Sequence, residues 1–249
     1  MSSPSHARPA IVSGDIEGDL YTFCGTCAFA PVCLPEGYDK SSLAELHCLI
    51  EHVGPYEAGR KLFQAGEPFE AVFAVRSGVI KTSMIDDEGN EQVLGFYLPG
   101  ELVGFDGLYQ SRYPCTAVAL DVTTVCRFSF PAMATLATRM PGIQQQLFRL
   151  MSRDIGRASL LAGDFSADER VAAFLLDLGS RFAARGYSAT RFNLTMSRAD
   201  IASHLRLAAE TVSRVLRRFQ DEGVIHVERR AIELRADDRL RQMARNILR

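Results

Sequence analysis

Short apolar runs broken by glycines and polar turns fill the chain from about Glu57 to Phe130, and runs of this kind predict β-strands. Ala71-Val72-Phe73-Ala74-Val75 and Val93-Leu94-Gly95-Phe96-Tyr97 flank the turn-like Asp86-Asp87-Glu88-Gly89-Asn90 and read as a hairpin. Gly59, Gly66, Gly78, Gly89, Gly100 and Gly107 punctuate the region, the rhythm of a small antiparallel roll or barrel. Ahead of it, Ser41 to His52 reads as a short helix and residues 1–20, without periodicity, as a mobile arm. Past Phe130 the period changes. Phe148, Met151, Ile155, Ala158 and Ala162 recur at spacings of three and four, a helix seam, with Ile143, Leu147 and Leu150 as a second stripe beside it. A helix apolar on two sides buries both, one on its own β domain and the other on a symmetric partner. Gly156, Ala158 and Ala162 would let a second helix approach closely.

After Gly163-Asp164 the pattern is helical again, with Val171, Phe174, Leu175 and Leu178 on one face. Ser197 is a candidate N-cap for a helix from Arg198 to His204. The turn Leu205-Arg206-Leu207 leads to a helix from Ala208 to about Asp221, with Val212, Val215, Leu216 and Phe219 inside and Glu210, Ser213, Arg214 and Arg217 outside. Gly223 stops it, and residues 224–227 with 231–234 form a short β pair. Helix, tight turn, exposed Arg-bearing helix and β wing make a winged helix-turn-helix, with small Ala202 where the helices cross. The fold class is therefore α+β: an N-terminal antiparallel β-roll, a long helix and a C-terminal winged helix-turn-helix. The expected division is an arm (1–20), a Cys-rich loop with a β-roll sensor domain (21–138), a dimerisation helix (139–163) and a DNA-binding domain (164–249).

Composition changes this picture in one respect. With 249 residues, 47% of them apolar and 23% charged, the chain is that of a globular protein with a substantial core. No uncharged apolar run approaches the ~18 residues of a membrane span, and no secretory signal is visible, so a cytoplasmic, membrane-free protein is expected. The net charge of −2 argues at first against nucleic acid. Residues 164–249, however, carry 16 basic and 12 acidic side chains, and all the basic ones are Arg; the remainder carries 12 basic and 18 acidic. An all-Arg C-terminal part suits bidentate contacts to phosphate and guanine.

Six cysteines, at 24, 27, 33, 48, 115 and 126, are too few for a disulfide scaffold in a chain of this length. Cys24-x2-Cys27-x5-Cys33 lies on a loop free of charge from Tyr21 to Pro35. Three thiolates so close can wrap one face of a metal centre whose fourth ligand comes from elsewhere. A clustered triple plus one distant Cys suits an iron–sulfur cluster; zinc and thiol chemistry at Cys24 and Cys27 stay open. Spacing does not choose the fourth ligand among Cys48, Cys115 and Cys126.

Taken in order, these features resemble the cyclic-AMP receptor and fumarate–nitrate regulator (FNR) superfamily of bacterial transcription factors, and within it the FNR branch. The resemblance runs from about Cys24 to Leu234. It is carried by the Cys triple, Arg76-Ser77-Gly78-Val79-Ile80-Lys81, Leu102-Val103-Gly104-Phe105-Asp106, Val125-Cys126 and Glu210-Thr211-Val212-Ser213-Arg214. It implies a cyclic-nucleotide-binding-like roll and a [4Fe–4S] cluster on Cys24, Cys27, Cys33 and Cys126, degraded by molecular oxygen. It further implies a homodimer favoured by the intact cluster and packed along Phe148, Met151, Ile155, Ala158 and Ala162, binding a palindromic TTGAT-like site and controlling genes of low-oxygen metabolism. By the same resemblance Glu210, Ser213 and Arg214 read bases and the loop from Asp86 to Glu91 touches RNA polymerase; Thr211 is a further candidate DNA contact, and Arg217 and Arg218 are phosphate contacts or solvated charges.

Two departures bear on mechanism. Where the cyclic-AMP branch holds its phosphate with an Arg-Ser pair, this chain has Pro114-Cys115, so control by a cyclic nucleotide is not expected. Arg127 follows Cys126 where an acid is common, placing a positive charge beside the cluster. The alternatives are a metal- or thiol-switched regulator of the same fold without a cluster, and a thiol redox enzyme. Against an enzyme, the chain lacks G-x-G-x-x-G, P-loop, H-E-x-x-H and G-x-S-x-G patterns, and its five His show no ligand or triad spacing.

Overall fold

The computed structural model describes residues 50–139, 141–160 and 163–248. The expected arm, Cys24, Cys27, Cys33, Cys48 and Ala162 lie outside the described residues. Of the helix expected from Ser41 to His52, residues 50–52 are described, and they are strand. They open β1 (Ile50–Tyr56), which pairs antiparallel with β8 (Thr123–Ser129), His52 opposite Cys126. A local pattern could not foresee this, because the backbone partners of residues 50–52 lie more than 70 residues away in β8.

Between these strands run β2 (Lys61–Phe63), β3 (Ala71–Ser77), β4 (Ile80–Ile85), β5 (Glu91–Tyr97), β6 (Leu102–Val103) and β7 (Thr116–Ala119). They form two four-stranded sheets, ordered β1-β8-β3-β6 and β2-β7-β4-β5. The expected hairpin is thereby corrected. The turn at Asp86 joins β4 to β5, while β3 lies in the other sheet between β8 and β6. A tight turn at Gly78 (φ +80°) separates β3 from β4; a Cβ there would lie 2.3 Å from Thr123 Oγ1, so the turn admits only glycine. The turn at Asp86 is closed by its own carboxylate, whose Oδ1 accepts from the backbone N–H groups of Glu88 (3.0 Å) and Asn90 (2.8 Å).

Because β3 is flanked on both edges, Ala71 to Val75 are all buried. Ala71, Phe73 and Val75 pack with Tyr56, Phe63, Ile80, Val103, Tyr113 and Val125. Tyr113 stacks on Phe63 with ring centroids 3.9 Å apart, and its hydroxyl donates to the Ala71 carbonyl at 2.6 Å, so its polar end is satisfied inside the core.

Helix α1 (Phe130–Arg139) leads into α2 (Pro141–Leu160), 20 residues long. On α2, Leu150 is buried, but Phe148 and Ile155 are 61% and 66% exposed. They are seven residues apart, two turns of helix, and so share a stripe.

Then follow α3 (Ala167–Ala183), β9 (Arg191–Asn193), α4 (Arg198–Leu205), α5 (Ala209–Asp221), β10 (Ile225–Glu228), β11 (Ala231–Leu234) and α6 (Asp237–Ala244). The wing sheet has the order β10-β11-β9; β9 and α6 were not foreseen. Gly179 lets β9's approach pass close to α3, since a Cβ there would lie 2.3 Å from the Ala189 carbonyl oxygen.

The described chain forms two compact units. One holds residues up to Lys81 with Phe96–Leu147; the other holds Thr82–Gly95 with Phe148 onward. These limits differ from the expected division, chiefly because residues 82–95 group with the C-terminal unit. Within that unit Ser203 Oγ donates to the Glu91 carbonyl (2.7 Å) and accepts from the Val93 N–H (2.8 Å).

Candidate nucleic-acid interface and metal-ligand cysteine

Two capping boxes set the C-terminal helices. Ser166 and Glu169 close the start of α3, Ser197 and Asp200 that of α4, each side chain bonding the other's backbone N–H. Helix α4 ends with Arg206 in the left-handed region (φ 55°, ψ 47°), and the Leu207 N–H donates to the Ala202 carbonyl at 2.9 Å. This turn swings the chain into α5 with Ala208 as N-cap. Val212, Val215, Leu216 and Phe219 are buried, as are Ala202 and Leu205 facing them, so α5 is fixed by its inner stripe and shows its other face to solvent.

That outer face carries Glu210, Ser213, Arg214 and Arg217, all exposed, with Thr211 half-buried beside them. Ser213 Oγ donates to the Ala209 carbonyl (2.9 Å) and Arg214 Nε to the Glu210 carbonyl (3.3 Å), each resting on the preceding turn. Arg218, expected as a DNA contact, is ion-paired with Asp168, a partner on α3 that only the tertiary fold brings near. The wing is tied to α5 by Gln220 Oε1, which accepts from the Val227 N–H at 3.0 Å. His204 is half-buried; loss of hydration lowers its pKa to about 4, so at neutral pH it is uncharged, packed beside Phe174.

In the β-roll, the two described cysteines differ sharply. Cys115 is fully buried and donates its S–H to Asp106 Oδ2 at 3.0 Å; burial first, and the adjacent Asp106 charge second, push its thiol pKa far up. Cys126 is half-buried, its Sγ 3.5 Å from His52 Nδ1. Arg127 does not stand as a bare charge: it pairs with Glu51 Oε2 (3.0 Å) and Glu70 Oε2 (3.4 Å). The sequence gives no signal for His52, Glu51 and Glu70 here, because strand pairing and ion pairs across the fold bring them to Cys126 and Arg127. Among the described residues no group of three or more His, Cys, Asp or Glu could hold a metal, and no helix is long and apolar enough to cross a membrane.

Comparison with known proteins matches residues 54–139 to the cyclic nucleotide-binding domain family and residues 169–243 to the Crp-like helix-turn-helix domain family. The chain is 44% identical to the transcriptional activator protein Anr of Pseudomonas aeruginosa over 214 residues, which is 85% of this chain and 88% of that one. It is 40% identical to the fumarate and nitrate reduction regulatory protein of Escherichia coli over 230 residues, 91% and 92% of the two chains. The chain belongs to the FNR branch of the cyclic-AMP receptor/FNR family. FixK2 from Bradyrhizobium japonicum has a similar structure, with a TM-score of 0.69 at 28% identity over 78% of this chain and 96% of that one. Membership of the FNR branch makes this chain a DNA-binding transcription regulator rather than an enzyme.

On that face, Arg214→Ala is expected to cost about 1–3 kcal/mol at one base-pair position and to relax selectivity there. Competition binding against operators altered one pair at a time measures this. An equal loss on every sequence would instead mark Arg214 as a phosphate contact.

Proposed function

We propose that this FNR-branch protein is an oxygen-responsive transcription activator, switched by a [4Fe–4S] cluster on Cys24, Cys27, Cys33 and Cys126. The observation that carries the reading is the contrast between the described cysteines. Cys126 is half-buried on β8 with a hydrogen-bonding imidazole beside it, whereas Cys115 is sealed and held protonated. Only a thiolate ligates iron, so the chemistry of the donor set fits Cys126 as the distant fourth ligand to the Cys triple. The cluster, when bound, supplies an oxygen-labile centre whose ligation ties the N-terminal loop to the roll.

The intact cluster favours a homodimer. Support comes from Phe148 and Ile155, large apolar side chains exposed on one stripe of α2, with Met151 half-buried between them and Ala158 and Ala162 continuing the spacing. Two reading helices then engage a palindromic TTGAT-like site through Glu210, Ser213 and Arg214, with Thr211 and Arg217 as further contacts. Arg218 joins them only if it leaves Asp168. The turn from Asp86 to Glu91 faces RNA polymerase, and the protein works in the cytoplasm on genes of low-oxygen metabolism.

Anaerobic purification tests the reading: the protein should be brown, with about four irons per chain, dimeric and tightly bound to the operator. The colour, the iron and the tight operator binding should be lost on exposure to air. A colourless protein holding one zinc per chain, with operator affinity indifferent to air, would replace the cluster by a structural metal.

A further inference from the structure

Among the described residues twelve have a positive φ, and nine of them are glycine; the exceptions are Ser111, Arg206 and Arg229. An L side chain is disfavoured in the left-handed region and glycine is not. Elsewhere among the described residues, Ser111 apart, the requirement is met with glycine, yet twice in the C-terminal unit the chain accepts arginine. Arg206 forms the C-cap of α4 in the helix-turn-helix turn, two residues before the N-cap of α5. Arg229 begins the two-residue turn between paired Glu228 and Ala231, a position that favours Asn-Gly or Gly-X.

Six other arginines of this unit are neutralised by acids. Arg181, Arg191, Arg218, Arg235, Arg239 and Arg241 each pair with a carboxylate. Among the described residues no carboxylate pairs with Arg206 or Arg229, and both are exposed. A charge kept only for solubility needs no strained position, since exposed Ala208 beside Arg206 could carry it on unstrained backbone. Local rules broken without a compensating contact in the fold mark functional positions. The two sites also bracket the reading helix: Arg206 precedes its N-terminus, and Arg229 lies two residues beyond Val227, whose N–H is bonded to Gln220 near the C-terminus of α5.

We propose that Arg206 and Arg229 are phosphate-binding residues that grip the DNA backbone at the two ends of the recognition helix, each occupying a left-handed turn position that the fold alone would give to glycine. The inference rests on the DNA-binding reading above. Such contacts position the protein on the duplex without reading its sequence, and each releases counterions from the DNA.

The test measures affinity by fluorescence anisotropy against salt, for the anaerobic full-length protein on a palindromic operator and on a scrambled duplex. Arg206→Gly and Arg229→Gly should melt at the wild-type temperature or above it. Each should weaken binding to both duplexes by the same factor, about fivefold per protomer at 0.15 M salt, and reduce the slope of log K against log salt by about 0.9 per protomer. Arg206→Lys and Arg229→Lys should restore the slope. An unchanged slope in the glycine variants, a lower melting temperature or an altered base preference overturns the proposal. Wild-type protein that binds neither duplex overturns the DNA-binding reading itself, and is told apart by the wild-type arm alone.

Discussion

Cys126→Ser yields a folded protein without iron and with specific operator binding lost, whereas Cys115→Ser keeps its iron and its affinity. The two thiols lie 11 residues apart in sequence and in the same roll, so the contrast tests environment rather than neighbourhood. Cys115 has no exposed surface, and its S–H is committed to Asp106. Deprotonating it would leave a buried charge without water and, second, set it against the negative charge of Asp106, which is why its pKa is raised. Serine keeps a donor for Asp106 in nearly the same volume, so the roll survives. Cys126 sits on β8 with partial access to solvent and His52 within hydrogen-bonding reach; the Arg127 charge beside it is offset by Glu51 and Glu70. The loss at Cys126 is large because uncoupling two reading heads forfeits the ~10²–10⁴ gain of bivalent binding. Iron content, visible absorption, circular dichroism and operator binding under anaerobic conditions measure the pair. Iron retained in Cys126→Ser and lost in Cys115→Ser would reverse the ligand assignment.

Phe219→Ala is expected to destabilise the protein by about 3–5 kcal/mol, the range for truncating a buried aromatic side chain. Phe219 is fully buried, closes the inner stripe of α5, and its carbonyl accepts from the Val224 N–H at 2.8 Å where the chain turns toward the wing. The cavity would open beneath the recognition helix, so operator binding should fall along with stability. Arg217→Ala, two residues earlier but on the exposed face, should stay within about 0.5 kcal/mol in the same denaturant titration. If both variants melt alike, α5 is not anchored by this stripe.

The helix-turn-helix was legible because α4 carries its own capping box and α5 is strongly amphipathic. Ser197 sets the start of α4, and Val212, Val215, Leu216 and Phe219 set the face and register of α5; the structure places those four inside. The roll was legible as a class and not in its pairing. Ala71 to Val75 is too uniformly apolar to show which strands flank it, and its partners β6 and β8 come from far along the chain. The strand at 50–52 was misread for the same reason. The availability of Arg218 and the environments of Cys115, Cys126 and Arg127 depend on Asp168, Asp106, His52, Glu51 and Glu70, most of them on other elements.

By itself, then, the sequence determined the α+β class, the Cys triple, the all-Arg C-terminal part and the face of α5 that looks outward, since periodicity and composition are properties of neighbouring residues. Tertiary structure alone decided which cysteine stays protonated, which arginines are neutralised by acids, and that two turns are built on left-handed arginines. Those are matters of burial, of Coulomb partners brought together across the fold, and of backbone angles that no side-chain pattern encodes.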